Sequence, residues 1–222
     1  MNDDLIREQQ VGIPAGRIVL PGTLGLPANP RGIVIFAHGS GSGRFSPRNN
    51  AVAQSLQNAG LATLLIDLLT ESESLDRRNV FNIGLLARRL VAATTWSRAN
   101  STTRSLPVGY FGASTGGGAA IVAATLTDDV RAVVSRGGRP DLASEALSRI
   151  QVPTLLIVGG NDEQVIELNK EAMARMGAKA ELVIIPGATH LFEEPGALEQ
   201  VAELAREWFL TYLPVSASAS PS

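Results

Sequence analysis

The 222-residue chain contains no cysteine. That absence removes disulfides, thiolate nucleophiles and cysteine-ligated metals together. Histidine is nearly as scarce, and two are too few for a His-rich metal centre, so no metal is expected. Charge of one sign is also lacking. A formal net charge of −2 gives no electrostatic case for binding nucleic acid or an anionic membrane surface. No apolar run approaches the roughly 18 residues of a membrane span. The opening MNDDLIREQQ carries acids where a signal peptide carries positive charge, and no apolar stretch follows it. The expectation is a soluble cytoplasmic protein with small or neutral partners. A hydrophobic fraction of 45% and a charged fraction of 18% are ordinary for a globular fold. One domain is expected over residues 1–213, and the polar, low-complexity tail PVSASASPS at 214–222 is expected to be disordered.

What the chain does have is the stretch VGYFGASTGGGAA at residues 108–120. A short apolar β-type run breaks at Gly112, passes Ser114 and enters a small-residue helical pattern. Residues 112–116 fit G-x-S-x-G, the nucleophile elbow, in which a strained serine projects from the end of a strand. Side chains at Gly112 and Gly116 are expected to collide across so tight a turn. The helix that follows aims its N–H groups and positive dipole end at charge developing beside Ser114. The bland alternative is an ordinary strand-to-helix turn, and the surrounding pattern favours the nucleophile.

Residues 5–12 and 16–21 read as two strands of an opening hairpin, and 22–31 as a loop rich in proline and glycine. Buried strands are expected at 32–37, 61–66, 108–111, 130–135 and 153–158, with a last strand at 180–185. Between them lie helices at 48–59, 79–97, 141–149 and 163–176, and a closing helix at 196–213. Ser46-Pro47 is a sound start for the first of these, serine as N-cap and proline at the first helical position. The polar stretch 70–78 reads as a solvated connection in preference to a flap. Strands alternating with helices predict an α/β fold, a mostly parallel central sheet with helices on both faces, preceded by an antiparallel hairpin. In such sheets ligands bind beyond the carboxyl ends of the strands. His38, Asp67, Ser114, Asp162 and His190 all follow strands, and their convergence on one edge outweighs any single motif.

A serine hydroxyl needs a base, and the base needs an orienting acid. His190, on the loop GATHLFEE, is favoured as base. His38, at a strand end before a glycine-rich turn, is read as structural. Asp162 in VGGNDEQV is the favoured acid, since Ser114, Asp162 and His190 follow the chain order Ser, Asp, His. Its bland role is N-cap of the helix starting at Glu163. Asp141 and then Asp67 are the alternative acids. Oxyanion donors are expected from the N–H of Thr115 and from Ser40, with Gly41 next. The loop at 38–43 lacks the spacing and lysine of a phosphate-binding loop, so no nucleotide cofactor is expected. Arg44, Arg48, Arg136 and Arg139 lie beside these loops and could bind a substrate carboxylate or phosphate, although pairing with nearby acids is the favoured reading.

HGSGSG at 38–43, GASTG at 112–116, GGNDEQV at 159–165 and GATH at 187–190 together resemble the α/β-hydrolase family. Among its branches the chain is similar to the small dienelactone-hydrolase-like proteins without a large cap, over about residues 17–213. The resemblance implies Ser114 as nucleophile, Asp162 as acid, His190 as base and Ser40 with Thr115 as oxyanion donors. Dienelactone hydrolases proper use a cysteine nucleophile, which this chain lacks; the departure favours a serine esterase or thioesterase. The expectation is therefore a cofactor-free serine hydrolase of small or accessible esters. A thioesterase, lactonase or small peptidase would use the same residues, as would a perhydrolase. A ligand-binding protein on a hydrolase fold is the reading from another class. The oligomeric state stays open, a homodimer included.

Overall fold

A computed structural model describes residues 6–177 and 179–214. Eight strands form one sheet in the order β1 (Arg7–Ala15), β2 (Ile18–Leu26), β4 (Ala62–Ile66), β3 (Ile33–Ala37), β5 (Val108–Ala113), β6 (Val130–Arg136), β7 (Thr154–Gly159) and β8 (Ala180–Ile185). The hairpin β1–β2 is antiparallel and β2 runs antiparallel to β4; every other pairing is parallel. The strand order reverses at β3. The chain leaves it toward β4 through α1 (Pro47–Asn58) and returns to its other side, as β5, through α4 (Ile83–Ala99). Between β4 and α4 lie two single-turn helices, α2 (Glu71–Ser74) and α3 (Arg77–Val80). After β5 come α5 (Thr115–Ala124), α6 (Ala146–Arg149), α7 (Glu163–Arg175) and α8 (Ala197–Tyr212), with a 3-10 turn at Pro140–Ala143 before α6.

Both faces of the central strands are buried, and their side chains alternate between two cores. Ile33, Ile35, Leu64, Val108 and Tyr110 pack on one side with Leu86 and Leu90 of α4 and Ile121 of α5. Val34, Phe36, Leu65 and Phe111 pack on the other with Val52 and Leu56 of α1 and Val201 and Phe209 of α8. The Tyr110 hydroxyl lies 2.6 Å from Thr94 Oγ1, so the buried phenol is partnered within the first core.

Three expectations are corrected. Residues 22–26 are strand, not loop. Gly22 and Gly25 look like turn residues in sequence, yet they are places where β2 packs closely: a Cβ on Gly22 would stand 3.1 Å from Ile13, and one on Gly25 2.0 Å from Gln57. The helix expected at 79–97 starts at Ile83, because Asn82 accepts the Leu85 N–H at 3.0 Å and begins a new helix after α3. The segment expected as one helix at 141–149 is broken at Ser144, which takes a φ of 48°. Of the opening strand expected from residue 5, residue 5 itself lies outside the described residues, as does the tail from 215 onward.

Gly109 of β5 faces α8, where a Cβ would stand 2.6 Å and 2.8 Å from two ring carbons of Phe209. Gly109→Ala should therefore destabilise the protein by about 1–3 kcal/mol through overpacking. Thermal unfolding would show this as a Tm several degrees lower, and an unchanged Tm would contradict the packing described.

Candidate active site

The reversal of strand order at β3 opens a crevice beyond the carboxyl ends of β3 and β5, where α/β sheets bind ligands. Ser114 sits there at the junction of β5 and α5, with φ 52° and ψ −122°. A non-glycine residue held so costs on the order of 1–3 kcal/mol. Three backbone hydrogen bonds hold it: its N–H donates to the Arg136 carbonyl at 3.2 Å, and its own carbonyl accepts from Gly117 and Arg139 at 3.0 Å each. A Cβ on Gly112 would lie 2.4 Å from the Gly116 carbonyl oxygen, a clash across the turn as expected. Gly116 is constrained differently. Its Cβ would strike the Ala37 carbonyl oxygen at 2.2 Å, so that glycine lets α5 close onto the end of β3.

Asp162 and His190 are brought together by two loops that are joined to each other. Gly160 N–H donates to the Ile185 carbonyl at 2.8 Å, and Asn161 donates its N–H to Ala188 and its side-chain amide to Gly187, both at 2.9 Å. Beyond this seam His190 Nδ1 lies 2.6 Å from Asp162 Oδ2. A carboxylate only accepts, so Nδ1 carries the proton, and in the neutral imidazole Nε2 keeps its lone pair. Asp162 precedes α7 but its side chain makes no capping hydrogen bond, so the bland role does not occupy the carboxylate. The Ser114 hydroxyl makes no hydrogen bond among the described residues. Ser114 and His190 line the same cavity of about 190 Å³, together with Ser40, Arg136 and Leu191.

The loop at 38–43 lies against the elbow: a Cβ on Gly39 would stand 3.1 Å from Ser114 Cβ. The Ser40 and Thr115 N–H groups donate no hydrogen bond among the described residues. Gly41 takes a φ of 69° at the exposed tip. Beyond this loop is a second cavity of about 390 Å³, lined by Ser40, Gly41, Asp67, Thr115, Val80 and, from the stretch 70–78 expected to be a plain connection, Glu71 and Ser74. That stretch is a wall of the cleft, anchored by Glu73, which accepts from Arg89 at 2.8 Å and from the Thr70 N–H at 2.9 Å. A larger cavity of about 640 Å³ lies elsewhere, between the β1–β2 turn and α4, beside Arg88 and Trp96.

The four arginines divide. Arg44 is bound by the Asp67 carboxylate through both its side chain and its N–H, Arg48 reaches Glu193 at 3.0 Å, and Arg139 makes two bonds to Asp141 at 2.9 Å and 2.8 Å. Arg44 is thus paired with Asp67, and the two alternative acids are held by arginines and not by His190. Arg136 has no acid among the described residues. It is 7% exposed, the only hydrogen bond of its guanidinium among the described residues is a 3.4 Å contact to Asn49 Oδ1, and Phe192 lies 5.8 Å beneath it. Burial, reinforced by Arg48, pushes its pKa down to about 10, so it is charged at neutral pH. Asn49 went unnoticed in sequence. Its signal was an asparagine on the face of α1 that also carries Val52, Ala53 and Leu56, all buried.

His38 is structural in its contacts. Nδ1 donates to the Gly39 carbonyl at 2.9 Å and Nε2 accepts the Leu68 N–H at 3.0 Å, tying the ends of β3 and β4 together. Burial pushes its pKa below the ordinary value, against smaller opposing effects of Gly39 and Asp67. The folded state therefore binds fewer protons than the unfolded one just below the unfolded pKa of about 6.5, and the stability this imidazole contributes is lost as pH falls from there. Between about pH 6.5 and 5 the Tm of the wild type should fall more steeply than that of His38→Gln, whose amide does not titrate. Parallel curves would contradict this.

Among the described residues no helix is long and apolar enough to cross a membrane. The family model for dienelactone hydrolases matches residues 20–213. A Mycobacterium tuberculosis protein named for phosphoribosyl transfer is 58% identical over 212 residues, which are 95% of this chain and 48% of that protein. The chain thus spans about half the length of the curated relatives it matches. Among solved structures, a dienelactone hydrolase from Anabaena variabilis is 58% identical with a TM-score of 0.91, covering 94% of this chain and 99% of that one. A dienelactone hydrolase-like promiscuous phosphotriesterase from metagenomic libraries shares the fold at 18% identity and a TM-score of 0.77, covering 94% and 99%. The chain belongs to the dienelactone hydrolase family.

Proposed function

We propose that this chain is a serine hydrolase that cleaves carboxylic esters through an acyl-enzyme, with Ser114 as nucleophile, His190 as general base and Asp162 as the acid that orients it. The observation that carries the reading is the 2.6 Å Asp162–His190 pair beside a strained serine at the start of α5. The proton on Nδ1 leaves Nε2 to take the hydroxyl proton as Ser114 attacks the carbonyl carbon, and Asp162 stabilises the imidazolium that forms. Negative charge then gathers on the carbonyl oxygen. In this scheme the N–H groups of Thr115 and Ser40, with the positive end of α5, receive it. His190 returns the proton to the departing alcohol, and water, activated by the same imidazole, releases the acid. The missing Ser114–His190 hydrogen bond fits this scheme, because such contacts are often long before substrate arrives.

Membership of a hydrolase family and the completeness of the constellation support the reading over that of a binding protein. Thioesters and lactones present the same electrophile to the same residues. The phosphoribosyl transfer named for relatives of twice this length is not part of the proposal, which concerns the hydrolase region these relatives share with this chain.

A fluorophosphonate probe should label the wild type covalently and leave Ser114→Ala unlabelled. On nitrophenyl esters Ser114→Ala should lose about 10⁴-fold or more in kcat, and Asp162→Asn about 10²- to 10⁴-fold by presenting the wrong tautomer. Equal labelling of wild type and Ser114→Ala would overturn the mechanism. A panel of chain-matched esters and thioesters would then fix the subclass.

A further inference from the structure

Helix α4 carries three arginines and no acid along its 17 residues. Arg98 bonds the Asp129 carboxylate, and Arg89 bonds Glu73 of α2 and the Ala15 carbonyl at the β1–β2 turn. These two are paired with acids from other elements, while Arg88 is paired with none among the described residues. It borders the cavity of about 640 Å³ between α4 and the turn, whose lining holds Arg88 and Arg89 and no carboxylate side chain. The floor of that cavity is apolar. Leu85, Ala92 and Ala99 recur every seven residues and so share one stripe of the helix, and the small side chains at 92 and 99 are what leave the space open. Ala15, Leu85 and Trp96 pack against the first core, yet each stays only half-buried. An indole left partly open in a concave apolar cavity marks a ligand site, and a volume of this order suits a small molecule.

We propose that this groove is a second binding site, separate from the catalytic crevice, for an amphiphilic carboxylate whose head pairs with Arg88 and whose unbranched chain lies along Ala92, Trp96 and Ala99. It shares no lining residue with the two cavities bordered by Ser40, so the proposal does not rest on the serine-hydrolase reading. Charge decides the head. Two guanidinium groups and no acid in the lining favour an anion, and Arg88 is the one that can take it, because Arg89 would have to give up Glu73 and the turn. Its planar fork of donors fits the two oxygens of a carboxylate. Length decides the tail. From Arg88 to Ala99 the helix rises about 16 Å at 1.5 Å per residue, room for a chain of about ten carbons. The opposite wall is fixed, since the Arg89–Ala15 bond clamps the hairpin to α4. A second copy of the chain is the poorer occupant: two α4 faces packed together would set Arg88 against a helix with no acid of its own.

The test titrates decanoate and decanol, alike in chain and different in head, into the wild type at concentrations where both are monomeric, with tryptophan emission as the readout. The chain has two tryptophans, and Trp208 is 7% exposed in the second core, so a change in emission reports Trp96 and the groove. Trp96→Phe should remove the signal. The wild type should bind decanoate saturably and about five- to tenfold more tightly than decanol, the worth of a charge-assisted hydrogen bond at an open site. Arg88→Gln should bring the two ligands to the same affinity. Ala92→Leu combined with Ala99→Leu fills the trough with good helix formers and should weaken both ligands about tenfold or more, with Tm unchanged or raised. If that double variant does not fold, Arg88→Gln still decides. An unresponsive Trp96, equal affinities in the wild type, or a preference for decanoate that persists in Arg88→Gln overturns the proposal. So does binding that survives the two leucines. Sedimentation of the wild type as a dimer that the two leucines break apart would give the groove to a second copy and overturn it as well.

Discussion

The structure depends on how closely α5 approaches the carboxyl end of β3. Ser114 can hold its positive φ only because its backbone is fixed by the Arg136 carbonyl and by the N–H groups of Gly117 and Arg139. That arrangement requires α5 to lie against the strand ends on either side, where side chains at Gly116, Gly117 and Gly118 would meet the Ala37 carbonyl, the Ser135 hydroxyl and the Arg139 carbonyl at 2.2, 2.4 and 2.7 Å. The glycine run is thus a packing requirement before it is a chemical one. The same approach directs the first free N–H of α5 and its dipole into the crevice, so strain, packing and electrostatics share one cause.

The second constraint is the seam between the loops after β7 and β8. Asp162 and His190 are 28 residues apart in sequence, and their 2.6 Å contact stands on backbone pairing that does not involve either side chain. Gly159 makes the seam possible, since a Cβ there would lie 2.4 Å from the Ala188 carbonyl oxygen. Two parallel neighbours at the sheet edge therefore deliver the pair by register alone, and α7 begins at Asp162 without calling on its carboxylate.

Much of this was legible in the sequence because buried parallel strands and glycine-bounded turns leave strong local signals. The runs at 33–37, 62–66 and 154–159 are apolar on both faces, and each ends at a residue the site uses or leans on. The misreadings have a common origin. Gly22 and Gly25 look like turn residues when only neighbours in sequence are weighed, but here they mark where β2 meets Ile13 and Gln57. The division at Asn82 and the kink at Ser144 depend on a single side-chain cap and a single φ, neither of which has a periodicity. The arginines were beyond sequence reasoning for a related reason. All four stand near the strand ends, and only three-dimensional pairing shows that among the described residues three have acids and Arg136 does not.

The loop at 38–43 links these constraints to the cleft. His38 is bonded at both ring nitrogens, and Asp67 grips Arg44 at backbone and side chain, so the loop is fixed on both flanks before any ligand arrives. Gly39 meanwhile lets it rest against Ser114 and the Ala113 carbonyl, where any larger residue would force it outward. A loop held in that position separates two cavities of about 390 Å³ and 190 Å³, both bordered by Ser40. The Ser40 and Thr115 N–H groups, which donate no hydrogen bond among the described residues, are thus positioned by the backbone alone.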